Sequence, residues 1–245
     1  MKKIRIPQRV EVLLRDIGRI AAARGHRAYA VGGCVRDWLL GKPTTDLDVT
    51  VEGDAIGVAR AVSRALSGSL EVHQQFGTAT VTIRRPACRI DFATCRTEQY
   101  AKPAAYPKVA PGTLEDDLFR RDFTMNAMAV GIAPGMVGGL IDPFGGRMDL
   151  ARKSLRVLHE RSFLDDPSRM LRGIRFAQRF SLRWEPQTKR LRDEAVAAGA
   201  LGWLNAGRLR KELERMTEEP DPGRCLREFA ALLDNRSIQH PTSNI

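Results

Sequence analysis

Apolar positions at helical spacing open the chain. Val10, Leu13, Leu14, Ile17, Ile20 and Ala21 recur at three- and four-residue steps and Gly25 follows as a stop, which predicts a helix over 10–24. A short strand over 27–31, a tight Gly32-Gly33 turn and a helix over 35–40 closed by Gly41-Lys-Pro43 come next. The period then changes to two at Asp46-Leu-Asp-Val-Thr-Val51, a strand that carries both aspartates on the same side. Gly53-Asp-Ala55 opens a helix over 56–66 with an acid in its first turn. Strands over 78–84 and 89–94 follow, separated by a Pro86 turn.

Residues 97–112 contain Pro103, Pro107 and Pro111 and show no period, so they read as a loop with room to move. The chain becomes helical from Leu114, and residues 129–141 are Gly-rich and apolar, predicting a hairpin that ends at Asp142-Pro-Phe-Gly-Gly146. Beyond Leu155 helical patterns dominate, over 166–180, 188–198, 208–216 and 223–233, before a polar, aperiodic tail over 235–245 that reads as disordered. The fold class expected is α+β, a mixed sheet with helices followed by an all-helical part. No internal repeat or low-complexity segment is visible.

Composition narrows the field. With 245 residues, 43% apolar and 28% charged, the chain can bury a core, which excludes intrinsic disorder. It has no apolar run near the ~18 residues of a membrane span. Its start is broken by Glu11, Arg15 and Asp16, so neither a signal peptide nor an anchor is expected. Cys34, Cys88, Cys95 and Cys225 form no CxxC or Cys/His cluster, which argues against a zinc site or disulfide framework and for a reducing, cytoplasmic setting. The net charge of +11 points to a polyanionic partner such as nucleic acid or to a well-solvated basic surface.

Asp46 and Asp48 carry the first chemical signal, because positions i and i+2 of a strand point the same way and offer hard oxygen ligands to divalent cations. A solvated edge pair has the same pattern. The context favours chemistry: Gly32-Gly33 lies upstream at a strand-to-helix turn, where free backbone amides suit phosphate. Asp91, flanked by Ile90 and Phe92 pointing the other way, is the candidate third acid on a neighbouring strand. Three carboxylates around two Mg²⁺ ions would activate an attacking hydroxyl and hold a triphosphate, with no His or Cys nucleophile needed. The histidines, His26, His73, His159 and His240, are scattered.

Four motifs in order, Gly32-Gly-Cys-Val-Arg-Asp37, Asp46-Leu-Asp48, Arg120-Arg-Asp-Phe-Thr-Met-Asn126 and Asp165-Asp-Pro-Ser-Arg169 with Arg172 and Arg175, closely resemble those of the class II tRNA nucleotidyltransferase/poly(A) polymerase family of the DNA polymerase beta superfamily. The resemblance runs from about residue 29 to about residue 214. It implies a polymerase-beta-like head over 1–150, a helical base-recognising neck over 151–217 and a truncated body segment with tail over 218–245. It places Gly33 and Arg36 at the incoming nucleotide's phosphates and Asp46 and Asp48 at catalytic Mg²⁺; Gly32 of the same turn and Asp91, the third acid read from the strand pattern, join these sets. Arg121 and Asn126 would hold the nucleotide, and Asp122 would lie at the ribose. An ion pair between Arg120 and Asp122 is the structural alternative.

Asp166 and Arg169, three apart and expected on one helix face, offer an acceptor and a forked donor able to read the Watson–Crick edge of cytosine or adenine. Arg172 and Arg175 match nucleotide-contacting positions, or else form a solvated arginine-rich helix face. Asp165 stands where the family usually has Glu. The activity implied is Mg²⁺-dependent, template-independent addition of C and/or A to the tRNA 3′ end from CTP and ATP, as CCA, CC-only or A-only addition. The wording of Arg89-Ile-Asp-Phe-Ala-Thr-Cys-Arg-Thr-Glu98 and Phe163-Leu-Asp-Asp-Pro167 leans towards the branch that includes A-adding enzymes. A poly(A) polymerase and a non-catalytic RNA-binding protein are the alternatives. Family members usually continue into body and tail domains that grip tRNA, so ending at Ile245 implies a minimal enzyme or a fragment. A homo-oligomer or a second protein would then supply the missing surface.

Overall fold

The computed structural model of the chain describes residues 3–44, 46–84 and 87–238. The Pro86 turn, His240 and the end of the expected tail lie outside the described residues. Two compact units emerge, one formed by Met1–Glu98 with Val109–Arg147 and the other by Gln99–Lys108 with Met148–Ile245.

In the first unit, the helical stripe of α1 (Gln8–Ala23) buries Leu13, Leu14, Ile17 and Ala21. Gly18 lets this helix approach backbone closely, since a Cβ there would sit 1.8 Å from the Ile132 carbonyl oxygen. β1 (Arg27–Val31) leads through Gly32 into the short α2 (Gly33–Leu39), and β2 (Asp46–Glu52) into α3 (Ala55–Ala65), which Asp54 caps by accepting from the Gly57 N–H at 2.8 Å. β3 (Ser69–His73), β4 (Thr78–Arg84) and β5 (Ala87–Thr94) follow.

β6 (Arg96–Gln99) and β7 (Lys108–Pro111) pair as a separate ladder where a loop was expected. Their four exposed or half-buried residues each give no apolar alternation to read. α4 (Leu114–Phe119) begins at a reciprocal Thr113/Asp116 capping box. β8 (Ala129–Gly131) and β9 (Leu140–Ile141) form the expected antiparallel hairpin, and α5 (Gly146–Ala151) ends the run.

Seven strands make one mixed sheet in the order β3-β4-β5-β2-β1-β8-β9. β2 and β5 are parallel neighbours, whereas β1 flanks β2 antiparallel. The sheet's centre is dry: Leu47, Val49, Val51, Ile90 and Phe92 are essentially buried. Burial of these aliphatic and aromatic side chains, at about 1.5–3 kcal/mol each, holds the strand registers that position the polar face.

The second unit carries β10 (Ser154–Leu155), α6 (Ser162–Asp165), α7 (Ser168–Phe180), β11 (Arg183–Trp184), α8 (Pro186–Ala197), α9 (Ala206–Thr217) and α10 (Pro222–Ile238). α7 buries Met170, Leu171 and Ile174 completely and packs against α9 and α10. α10 continues to Ile238, so the first residues of the expected tail, 235–238, are helical. The two-residue β10 and β11 pair in parallel within a part expected to be all helical. Among the described residues no helix is long and apolar enough to cross a membrane.

Candidate active site

The carboxylate face is a product of strand period and register. In β2, Leu47, Val49 and Val51 point into the core, so Asp46 and Asp48 stand exposed on the opposite face. The parallel ladder sets Asp48 beside Asp91 and Asp46 beside Arg89. The third acid predicted from the sequence is therefore on the same face as the first two, one strand away. On the far side of Asp91 lies Thr80 of β4, whose hydroxyl donates to Oδ1 at 2.5 Å, while Arg89 donates to the same oxygen from Nη2 at 3.2 Å. Asp48, Asp91, Thr80 and Arg89 line a cavity of about 380 Å³ together with His73 and Arg121.

Crowding like charges has an electrostatic consequence. The Asp48 carboxyl is raised above the ordinary carboxylate range by desolvation; Arg121 pulls it down, Asp91 and Asp46 push it up, and Arg89 opposes them. A divalent cation would relieve that repulsion. The donors are hard oxygens, as Mg²⁺ prefers, yet among the described residues no three ligands are gathered into a ready cage. That combination fits a small cation held by one or two carboxylates plus water and substrate phosphates rather than by an all-protein shell. Burial pushes the Cys34 and Cys95 thiols up to about 12, so neither provides a thiolate nucleophile near neutrality.

The glycine turn is built around an arginine. Gly32 has φ 75°, and a Cβ on it would come within 2.6 Å of Arg121 Nη1. Only glycine combines that backbone with that approach. Arg121 is held from behind by Asp117, a fully buried acid that accepts from Arg121 Nη2 at 3.0 Å and from Arg120 Nη2 at 2.7 Å. Burial works against ionisation of Asp117, but Arg121 and Arg120 outweigh it and hold the carboxyl below the usual range. Arg121 Nε–H remains buried with no hydrogen-bond acceptor among the described residues. An unsatisfied cationic donor beside a glycine turn is what an anionic ligand completes.

Behind the turn runs a polar relay. Arg36, itself buried, donates from Nη1 to Asn126 Oδ1 at 2.7 Å, and Asn126 Nδ2 donates to Asp122 Oδ1 at 2.9 Å. Asp122 also accepts from the Phe123 N–H at 2.8 Å. Arg120 is paired with Asp117 and Glu98 instead of forming only the local pair with Asp122 weighed from the sequence. Arg36, Asn126 and Asp122 are thus joined by hydrogen bonds behind the Gly32-Gly33 turn, and Arg121 lies against Gly32 on its own ion pair with Asp117.

The second unit holds the other candidates, and here two expectations change. Asp166 is not on the helix of Arg169: it has φ −139° and ψ 91°, and α7 begins two residues later. Pro167 is the cause, because its ring drives the preceding residue out of the helical region. Asp166 Oδ1 accepts instead from Ser168 N–H at 3.0 Å, Ser168 Oγ at 2.6 Å and Arg208 Nη2. Arg169 is buried, donates from Nη1 to Ser162 Oγ at 2.7 Å, and lies 3.4 Å from His159 Nε2.

Arg175 is the other change. It is neither solvated nor open to a ligand on the side that is paired: its Nε meets Glu219 at 2.9 Å and its Nη1 meets Glu212 at 2.9 Å, all three side chains buried. Arg179 closes the cluster on Glu219 at 2.7 Å. Arg172 is half-exposed over the Phe176 ring. Asp165 sits in the place of the family's Glu with Oδ1 buried and 3.4 Å from Arg161 Nη2.

Sequence reasoning passed over Arg89, Thr80, Asp117, Ser168 and Arg208. Arg89 was readable, two residues before Asp91 and hence on its face, and Asp117 was readable one helical turn before Arg121. Arg208 lies some forty residues from Asp166, and no local pattern joins them.

Comparison with known proteins identifies the family. Residues 28–156 match the poly(A) polymerase head domain. An A-adding tRNA nucleotidyltransferase of Halalkalibacterium halodurans is 41% identical over 212 residues, 86% of this chain and 49% of the relative. A CC-adding tRNA nucleotidyltransferase of Deinococcus radiodurans is 39% identical over 216 residues, 87% of this chain and 56% of that protein. An apo-form structure of a CCA-adding enzyme superposes with a TM-score of 0.88 at 41% identity, covering 95% of this chain and 57% of that one. The chain spans about half the length of these relatives. With a head-domain match over residues 28–156 and a relative 41% identical across 86% of the chain, the chain belongs to the tRNA nucleotidyltransferase/poly(A) polymerase family.

Proposed function

We propose that this chain is the catalytic and base-reading part of a template-independent nucleotidyltransferase that joins C and/or A, from CTP and ATP, to the 3′ end of tRNA. The observation that carries the reading is the register of β2 and β5, which sets Asp48 against Asp91 on the face that also bears Asp46. A set of three acids on one sheet face, with an unsatisfied arginine donor by a glycine turn, suits an anionic triphosphate brought in with its own cation.

In the reaction, the oxygen of the RNA 3′-hydroxyl bonds to the α-phosphorus, the bond from that phosphorus to the β-phosphate oxygen breaks, the hydroxyl proton is lost to solvent, and pyrophosphate leaves. Mg²⁺, held by one or two carboxylates of the Asp46, Asp48 and Asp91 set together with the substrate's phosphates, would supply Lewis-acid polarisation of the attacking and leaving oxygens. The chain's own residues do the rest. Arg121 and the Gly32 turn bind phosphate, the Arg36–Asn126–Asp122 relay orients the sugar, and Asp166 with Arg169 selects a base that has an exocyclic amine and a neighbouring acceptor edge. Free thiols throughout suit a reducing, cytoplasmic setting.

The test offers purified protein three tRNA transcripts, ending at the discriminator base, at C and at CC, with CTP, ATP or both, beside an Asp46→Ala/Asp48→Ala control. Product length on a sequencing gel reports the outcome. One A added only to the CC-ended tRNA means A-addition, two C residues without A mean CC-addition, and completion of all three means CCA-addition. Unlimited A-tailing of any RNA would make it a poly(A) polymerase. Wild type indistinguishable from the control would sink the transfer reaction.

A further inference from the structure

We propose that Arg208 is a positioning residue that locks the Asp166 carboxylate in a single orientation and so sets base choice. The inference rests on Asp166 being the acceptor that reads the base. Asp166 Oδ1 receives three donors, Ser168 N–H at 3.0 Å, Ser168 Oγ at 2.6 Å and Arg208 Nη2. That exceeds the two lone pairs of a carboxylate oxygen. Oδ2 has no donor among the described residues, and the side chain keeps 22% of its exposure. The carboxylate therefore presents one occupied oxygen to the protein and one vacant acceptor outward.

Arg208 is placed to do this and little else. Asn205 caps α9 by accepting from the Arg208 backbone N–H at 2.9 Å, which fixes the root of the side chain in the helix's first turn. A cation there lies at the positive end of the helix dipole, an unfavourable place that a tertiary ion pair offsets. The other guanidinium nitrogen, Nη1, reaches the carbonyl of Ala104 at 3.5 Å, and the N–H of Ala104 donates to the Leu164 carbonyl at 3.0 Å. The fork is thus braced on a backbone segment that is itself pinned two residues before Asp166.

The chemical consequence is selectivity for a donor. A single fixed acceptor takes one N–H from the exocyclic amine of adenine or cytosine, whereas the keto oxygens at the corresponding positions of guanine and uracil bring a second acceptor against it. Without Arg208 only the two Ser168 donors hold Oδ1, so the carboxylate is freer to turn about its χ2 and the outward acceptor is less sharply aimed.

The experiment measures equilibrium binding of ATP, CTP, GTP and UTP to wild type, R208Q, R208K, S168A and D166A, with a thermal melt of each, and KM and kcat for the transferred nucleotide. Wild type should prefer ATP or CTP. R208Q should lose about tenfold of that preference, the scale of one charge-assisted hydrogen bond, with KM raised and kcat at saturation nearly unchanged. R208K, which can still hold Oδ1, should recover part of it, and S168A should move the same way by less. A folded R208Q with wild-type preference overturns the proposal. If R208Q does not fold, R208K and S168A decide: unchanged preference in both overturns it. Wild type without preference, or D166A that keeps it, removes the base-reading role of Asp166 and this proposal with it.

Discussion

On the sheet face of the first unit, Asp46, Asp48 and Asp91 crowd together with their repulsion only partly relieved by Arg89 and Arg121. In the helices of the second unit, Arg175 and Arg179 are matched against Glu212 and Glu219 within hydrogen-bond distance and away from water. Both clusters belong to, or touch, motifs that resemble one family's nucleotide-handling residues. One leaves charge for a ligand to complete, and the other has already completed itself. Unsatisfied charge in a cavity marks chemistry, whereas satisfied charge in a core marks architecture.

The largest effect should come from the open cluster. Asp48→Ala should reduce nucleotide transfer by on the order of a thousandfold or more while the melting temperature holds or rises, because a mutually repelling carboxylate is removed. Rates and thermal melts of the same preparation check both halves; a thousandfold loss with a collapsed melt would blur the contrast. The closed cluster should behave inversely. Glu219→Ala strands Arg175 and Arg179 and should destabilise by about 3–5 kcal/mol, with base preference among surviving molecules unchanged. Urea titration beside nucleotide binding tests it, and a stable variant with altered nucleotide affinity would return Arg175 to the ligand-binding set.

An intermediate effect is expected at the glycine turn. Gly32→Ala imposes the left-handed φ on a residue with a Cβ, at about 1–2 kcal/mol, and pushes that Cβ into Arg121. Triphosphate affinity should fall about tenfold, which fluorescence titration with a nucleotide analogue would show.

The smallest effect separates two acids of the first unit by pH. Asp48 is raised in the fold, so between the ordinary carboxylate value and its raised value the folded state holds a proton that the unfolded state has released, and stability falls as pH rises through that window. Asp117 is lowered, so its contribution is present above the ordinary value and is lost as pH falls through the lowered one. Stability measured against pH should therefore lose its decline in Asp48→Asn and flatten on its acid side in Asp117→Asn. Equal slopes in both variants would contradict the assignment of opposite environments.

The strands and helices that bury a regular apolar stripe were legible in the sequence. β1 and β4 have the expected bounds, α1, α3 and the first three expected helices beyond Leu155 are displaced by one or two residues, and α10 runs five residues past its expected end. β3, β6 and β7 were hidden because most of their side chains are exposed or half-buried, so pairing and not burial defines them. Within the site, the shared face of Asp46 and Asp48 follows from strand period alone. The juxtaposition of Asp48 and Asp91 does not, since a parallel register is fixed by the intervening α3, β3 and β4. Pro167 was visible, and its effect on Asp166 could have been read from the restriction it places on the residue before it. The Arg175 cluster required knowing where α9 and α10 pack.

The assignment of residues 99–108 to the second unit bears on how family members could be recombined. The peptide chain passes between the units at Glu98–Gln99, again at Lys108–Val109 and finally at Arg147–Met148. A chimaera made with a single junction after Arg147 would pair one parent's Arg208 and Leu164 with the other parent's Ala104 segment. Grafting one enzyme's nucleotide choice onto another therefore calls for a discontinuous exchange, in which the ten-residue insert travels with the helices it belongs to.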